Sequence, residues 1–385
     1  MSYLKKTFFI ISFLILAATI FFIIRIANRR SVIETTSSPI IKPDYDSYKY
    51  CTDDNLKIID IGTQPNALFT TESLFHDRIL KKQLAAKGWK LREHPYRNGN
   101  DMVPYTDGRL DVMILGDIPA FIAMQLNNIG ISAVIRQGHN TVIARRRITA
   151  PELKGLRVAY PFNTTAHYAI ERTLNAANLT TDDIVSINLQ PDEMLNALSN
   201  NIVDVIVSRE PTTSIILKNI KGSAAIYVID GYSYIAFDRG FSARNPEIQK
   251  YLLAAVLRAV LWLKNGKENS STSLEWDRKA EMKFLCNSAI ECNTRWKNLL
   301  LRETIDNPLY PMLPLNFMDE TTTNYKQFIF LKNKKIIPAN AEWSKICERV
   351  DLKILPAIIR DGTNFEIDHF DYSTEKLFQD TGINQ

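Results

Sequence analysis

The chain has 385 residues, 45% of them hydrophobic and 23% charged, and a formal net charge of +5 at pH 7. That length holds two domain-sized cores at roughly 150 residues each. Basic residues cluster only at Arg145-Arg146-Arg147 and over 332–335, without interleaved aromatics, which argues against nucleic acid as a partner. Four cysteines are too few for a disulfide framework. No C-x-x-C pair or His/Cys cluster suggests a metal, and no cofactor is called for. Cys286 and Cys292 suit either one local bridge in an oxidising compartment or two free thiols. Cys51 and Cys347 have no partner the sequence assigns.

Residues 7–24 form an uncharged apolar run, with Lys5-Lys6 before it and Arg25, Arg29 and Arg30 after it. Such a run is just long enough to cross a hydrocarbon core. A cleaved signal peptide is the rival reading; the length of the run and the lack of a small-x-small site after it disfavour cleavage. Residues 1–30 are therefore expected to be a membrane anchor or signal. Residues 31–54, polar and with Pro39 and Pro43, are expected to be a linker.

From Leu56 the pattern alternates strand and helix. Strands are expected over 56–61, 89–95, 110–115, 131–136, 141–144, 156–160, 186–188, 203–207 and 233–237. Helices are expected over 67–87, ending at Gly88, from Pro119, over 192–200 and over 245–265, the last facing the core. Repeated strand-loop-helix units predict an α/β architecture with mostly parallel, buried strands and with ligand loops at their carboxyl ends. The last seventy or so residues do not fit this scheme and are expected to form a C-terminal extension.

The most informative stretch is Glu152 to Leu174, ELKGLRVAYPFNTTAHYAIERTL. It is read as a strand, a polar loop and an amphipathic helix. A helix entered through Asn-Thr-Thr offers free N–H groups, two hydroxyls and a favourable dipole to an anion. Plain capping by Thr164 or Thr165 is the alternative. No nucleophile elbow, P-loop, H-E-x-x-H or GxGxxG motif occurs, and the five histidines are scattered,.

IGTQPNAL at 61–68, DVMILGDIPAF at 111–121, the 152–174 stretch and LSNNIVDVIVSREP at 198–211 occur in order. Together they resemble the solute-binding proteins of the nitrate/sulfonate/taurine ABC-transporter group, including the aliphatic sulfonate binders. The resemblance covers residues 56–264. It implies a two-lobed type II periplasmic-binding-protein fold, its ligand held between lobes that close by hinge bending. Lobe one would be 55–148 with a returning part, 233–310, and lobe two 149–232, leaving 311–385 as the extension.

The resemblance also implies a cleft lined by Gln64 and Asn66, by Gly116 and Asp117 beside Pro119, by Asn163, Thr164, Thr165 and His167, and by Arg209 and Glu210. Two departures stand out. Asn163-Thr164-Thr165 replaces the family's Gly-Ser-Ser, keeping hydroxyls but adding bulk. Ser208-Arg209-Glu210-Pro211 replaces an aromatic-acid-Pro-aromatic run. Arg209 would pair with an anionic ligand, or with Glu210 or solvent. Asp117 would cap a helix or bind a ligand amine, and packing is the alternative for His167.

The implied function is that of an extracytoplasmic binding protein, anchored in the cell membrane. It would capture a small anionic organic solute (sulfonate, nitrate or taurine-like) for ABC permease and ATPase subunits. Two other classes stay open: a ligand sensor on the same fold, and an enzyme acting on a pyrimidine-like or aromatic acid substrate.

Overall fold

A computed structural model describes residues 44–51, 53–65, 68–284 and 311–380. The expected anchor, Asn66 and the Cys286–Cys292 pair lie outside the described residues. Among the described residues, no helix is long and apolar enough to cross a membrane. Met1–Ser47 groups as one unit, of which the described part holds a short 3-10 turn, Tyr45–Ser47, and Tyr48–Gln385 groups as the other.

Among the described residues the larger unit holds nine strands: β1 (Ile58–Thr63), β2 (Lys90–Pro95), β3 (Val112–Gly116), β4 (Ile129–Ala144), β5 (Arg157–Tyr160), β6 (Val185–Asn188), β7 (Val205–Ser208), β8 (Ala224–Asp238) and β9 (Gln379–Asp380). They lie in the order β6-β5-β7-β4-β8-β3-β1-β2-β9. β1 is parallel to β2 and β3, and β5 is parallel to β6 and β7. These are two small α/β lobes joined through one antiparallel pair. The inner strands read as continuous apolar runs, such as Val112–Leu115, because helices cover both of their faces,.

The joining pair is the main departure from the sequence expectation. The strands expected separately over 131–136 and 141–144 are one sixteen-residue strand, β4. It pairs with a fifteen-residue β8 from Ile129↔Asp238 to Ala144↔Ala224. Gln137-Gly138-His139-Asn140 looks like a turn because it breaks the apolar alternation. Gly138, His139 and Asn140 border a cavity between the lobes rather than an apolar core, so no apolar side chain is demanded there. Ala133, Ile135, Ile235 and Phe237 enter the core of lobe one, whereas Val142, Ala144, Ile226 and Ile229 pack in lobe two.

The single helix expected over 67–87 is two, Leu68–His76 and Arg78–Ala86. Asp77 breaks it by turning extended and accepting the backbone N–H groups of Ile79 and Leu80 at 2.8 and 3.0 Å. Its other carboxylate oxygen takes Nε and Nη2 of fully buried Arg258 at 2.8 and 2.7 Å. Arg258 comes from the long helix Pro246–Lys264.

Residues 311–380 pack within the same unit. Leu355, Ile358, Ile367 and Phe378 join the core of lobe one, and β9 extends its sheet beside β2. The lobe-one edge of β4 is also covered. Ile131 bonds Arg349 and Asp351 through backbone groups, each at 2.9 Å, and Val134 N–H bonds the Pro311 carbonyl at 2.9 Å. Covering an edge removes a template for unwanted strand pairing.

Candidate functional site

The helix Thr165–Ala176 begins at the carboxyl end of β5. Asn163 takes the left-handed conformation, φ 58°, to turn the chain into it, and its N–H donates to Nδ1 of His167 at 3.2 Å. The Thr164 hydroxyl does not cap the helix; it donates back to the Pro161 carbonyl at 2.7 Å. Thr164, Thr165 and Ala166 line a cavity of about 80 Å³, enough for a handful of waters or a small polar head. Uncapped N–H groups of a twelve-residue helix therefore border the cavity, and they favour an anion.

The remaining walls come from both lobes and from their crossing. Lobe one supplies Gln64, held by an Nε2 bond to the Ile114 carbonyl at 2.8 Å, with Asn98, Gly99, Gly116 and Pro119. Lobe two adds Ser208 and Arg209. The crossing adds Arg136, His139 and Asn140 from β4, and Gly231, Tyr232 and Ser233 from β8. The lobes approach closely here: a Cβ on Gly231 would stand 2.9 Å from Asn140 Nδ2 and 3.3 Å from Thr165 Cγ2. Across the mouth, Arg97 Nη2 reaches both carboxylate oxygens of Asp192 at 2.7 and 3.0 Å, and Asn98 Nδ2 donates to Gln190 Oε1 at 3.0 Å.

Of the residues expected from sequence, Gln64, Gly116, Thr164, Thr165 and Arg209 are brought together on this cavity. Asp117, Asn163, His167 and Glu210 stand behind it. Asp117 is fully buried and accepts Tyr232 N–H at 3.0 and 3.2 Å and Gln327 Nε2 at 3.1 Å. Burial raises its pKa to about 7, opposed by the Gln327 and Tyr232 hydrogen bonds and by the charge of Arg136. His167 lies among Tyr160, Phe162 and Phe330, with ring centroids 5.1 to 5.9 Å away. Burial lowers its pKa to about 4. Glu210 accepts Ser214 Oγ at 2.9 Å and Ser214 N–H at 3.2 Å, at the start of the helix Thr212–Asn219.

The sequence reading missed the crossing residues, Arg136 above all. Arg136 is 4% exposed. A charged residue directly after the largely apolar stretch Ile129–Ile135 is the signal that points to it. A buried guanidinium that borders a cavity is costly to desolvate unless an anion or a hydrogen-bond partner compensates it.

Residues 113–276 match the model of the NMT1-like family. No curated protein sequence matches the chain. Among solved structures, the periplasmic aliphatic sulphonate binding protein SsuA of Escherichia coli matches with a TM-score of 0.55 at 17% identity, over 77% of this chain and 92% of that one. The alkanesulfonate-binding protein SsuA of Xanthomonas axonopodis pv. citri, bound to MOPS, matches at 0.58 and 14% identity, over 77% and 98%. The desulfurization enzyme DszB, as a variant in complex with biphenyl-2-sulfinic acid, matches at 0.52 and 14%, over 79% and 99%. The chain thus carries the two-lobed α/β fold that these periplasmic binding proteins and DszB share, and its residues 113–276 are similar to the NMT1-like family.

Proposed function

We propose that this protein is the extracytoplasmic solute-binding component of an ABC importer and captures a small anionic organic solute between its lobes. One observation carries the reading: the cavity at the crossing is bordered by two guanidinium-bearing residues and by an uncapped helix N-terminus. An anion there accepts charge-assisted bonds from Arg136 and Arg209 and weaker ones from Thr164, Thr165 and helix N–H groups. Gln64 and Gly116 shape the lobe-one wall. Asp117, Asn163, His167 and Glu210 hold the walls in place from behind. Delivery would be to permease and ATPase subunits, and an N-terminal membrane anchor would keep the protein near them.

The likeness to sulfonate binders supports a sulfonate as the first solute class to try. A thermal-shift series with sulfonates, taurine, nitrate, carboxylates and pyrimidines tests the reading, because a ligand that binds only the folded state raises Tm. The expected result is a rise with one anionic class, lost in Arg209→Ala. A rise with pyrimidines or aromatic acids alone, accompanied by their turnover, would replace it with an enzyme. Silence across the series would sink solute capture.

A further inference from the structure

The helix Thr323–Asn333 follows the stretch Pro311–Thr322 and touches both lobes. On the lobe-one side, Gln327 Nε2 donates to Asp117 Oδ2 at 3.1 Å. The rings of Phe317 and Trp343 meet Phe121 edge-on at 6.2 and 6.1 Å. At the crossing, Phe317 lies 5.9 Å from Tyr234 of β8. On the lobe-two side, Phe330 meets His167 at 5.1 Å and Tyr168 at 5.4 Å, both on the helix whose N-terminus borders the cavity. Lys334, just past the helix, pairs with Glu171 of that same helix and donates to Thr181 Oγ1 at 3.2 Å. Lys332 Nζ closes the following turn on the Ala341 carbonyl at 2.8 Å.

We propose that this C-terminal helix is a strap that sets how readily the cleft opens. Gln327 fixes it to lobe one, Trp343 bridges its Phe328, at 5.5 Å, to Phe121, Phe317 anchors the stretch that leads into it, and Phe330 with Lys334 holds lobe two against it. The inference rests on the reading of the cleft as the solute site, and it assigns the regulation of that site.

The contacts differ in kind at the two ends, and that decides which end parts. Phe317 is fully buried and Gln327 nearly so, so releasing the lobe-one end exposes apolar surface and strips a bond from the buried Asp117. The lobe-two end is one ring together with one ion pair and one hydrogen bond to Thr181, both made by a lysine whose side chain is 30% exposed. Hinge bending that carries the Thr165–Ala176 helix away from the Asp117–Leu126 helix must break the Lys334–Glu171 pair and uncover Phe330. It also leaves the largely buried Glu171 without that cation. The closed arrangement is favoured by that amount before any solute contact is counted.

The test uses the full chain without ligand first. In Lys334→Glu two like charges face each other, and in the exchange pair Glu171→Lys/Lys334→Glu the attraction is restored with its sign reversed. Small-angle scattering reads the radius of gyration, and hydrogen exchange reads the first turns of the Thr165–Ala176 helix. We expect Lys334→Glu to enlarge the radius and speed that exchange, and the exchange pair to return both toward wild type. With a solute found by thermal shift, the dissociation rate should rise about fivefold or more in the single variant, as for an ordinary allosteric coupling. Should melting curves show Lys334→Glu unfolded, Lys334→Gln serves as the milder variant with the same readouts. Wild-type radius and exchange in a folded Lys334 variant would overturn the strap, and so would an exchange pair as open as the single variant. A wild-type protein that binds no solute would sink the function and leave the two ligand-free readouts to decide the strap.

Discussion

Arg136 places a permanent charge in the interior, 4% exposed, where the two lobes meet. Replacement by Gln keeps length and hydrogen bonding but removes the charge. Binding of an anionic solute should then weaken by about 1.5–3 kcal/mol, the usual worth of a bond to a charged group. Titration calorimetry on a folded Arg136→Gln protein checks this, and an unchanged Kd would remove Arg136 from the site. His167 gives the second expectation at this scale. Its folded pKa, lowered by burial to about 4, lies below the unfolded value of about 6.5,. The unfolded chain therefore binds the proton more readily, so this contribution to stability is complete above about pH 6.5 and shrinks as pH falls toward 4. An NMR titration should show the His167 ring neutral down to about pH 5. A midpoint near 6.5 would mean that the ring is solvated and the Phe330 contact is absent.

Two elements govern the site: the crossing strands, and the helices anchored by buried charges. On β8, Gly231 leaves just enough room for Asn140 and Thr165. Ala at that position pushes both side chains into the cavity. Affinity should fall on the order of tenfold, about 1.4 kcal/mol, while Tm changes little, because the strand pairing is unaffected. In lobe one, Asp77 and Arg258 are each at most 1% exposed as side chains. Arg258→Ala would strand a buried carboxylate whose pKa burial already pushes up. A loss of about 3–5 kcal/mol is expected, read as a fall in the urea midpoint. The same mutation tests why the helix breaks at Asp77, since the carboxylate that caps the second helix is the one Arg258 holds.

At the scale of the molecule, residues 311–380 complete lobe one. They supply core side chains, the β9 strand and the cover over the β4 edge. A chain ending at residue 310 would expose that edge and the apolar partners of Leu355, Ile358, Ile367 and Phe378. It should lose cooperative melting and bind a hydrophobic dye. A truncated protein that melts as sharply as the full chain would show the segment to be dispensable.

Local pattern alone determined the alternating α/β units, the buried parallel strands and the helix entry at Asn163-Thr164-Thr165, because periodicity and turn chemistry act over a few residues. The ordered motifs pointed to two lobes, and Gln64, Gly116, Thr164, Thr165 and Arg209 do share one cavity. Tertiary structure decided the rest. Gln137–Asn140 look like a turn and are the middle of a strand, because a residue between two lobes has no core to match. Asp77 looks like part of a helix and ends one, because its partner Arg258 is far away in sequence. The C-terminal helix has no periodic signal that shows what it will touch, because its neighbours lie on both lobes and exist only once the chain has folded.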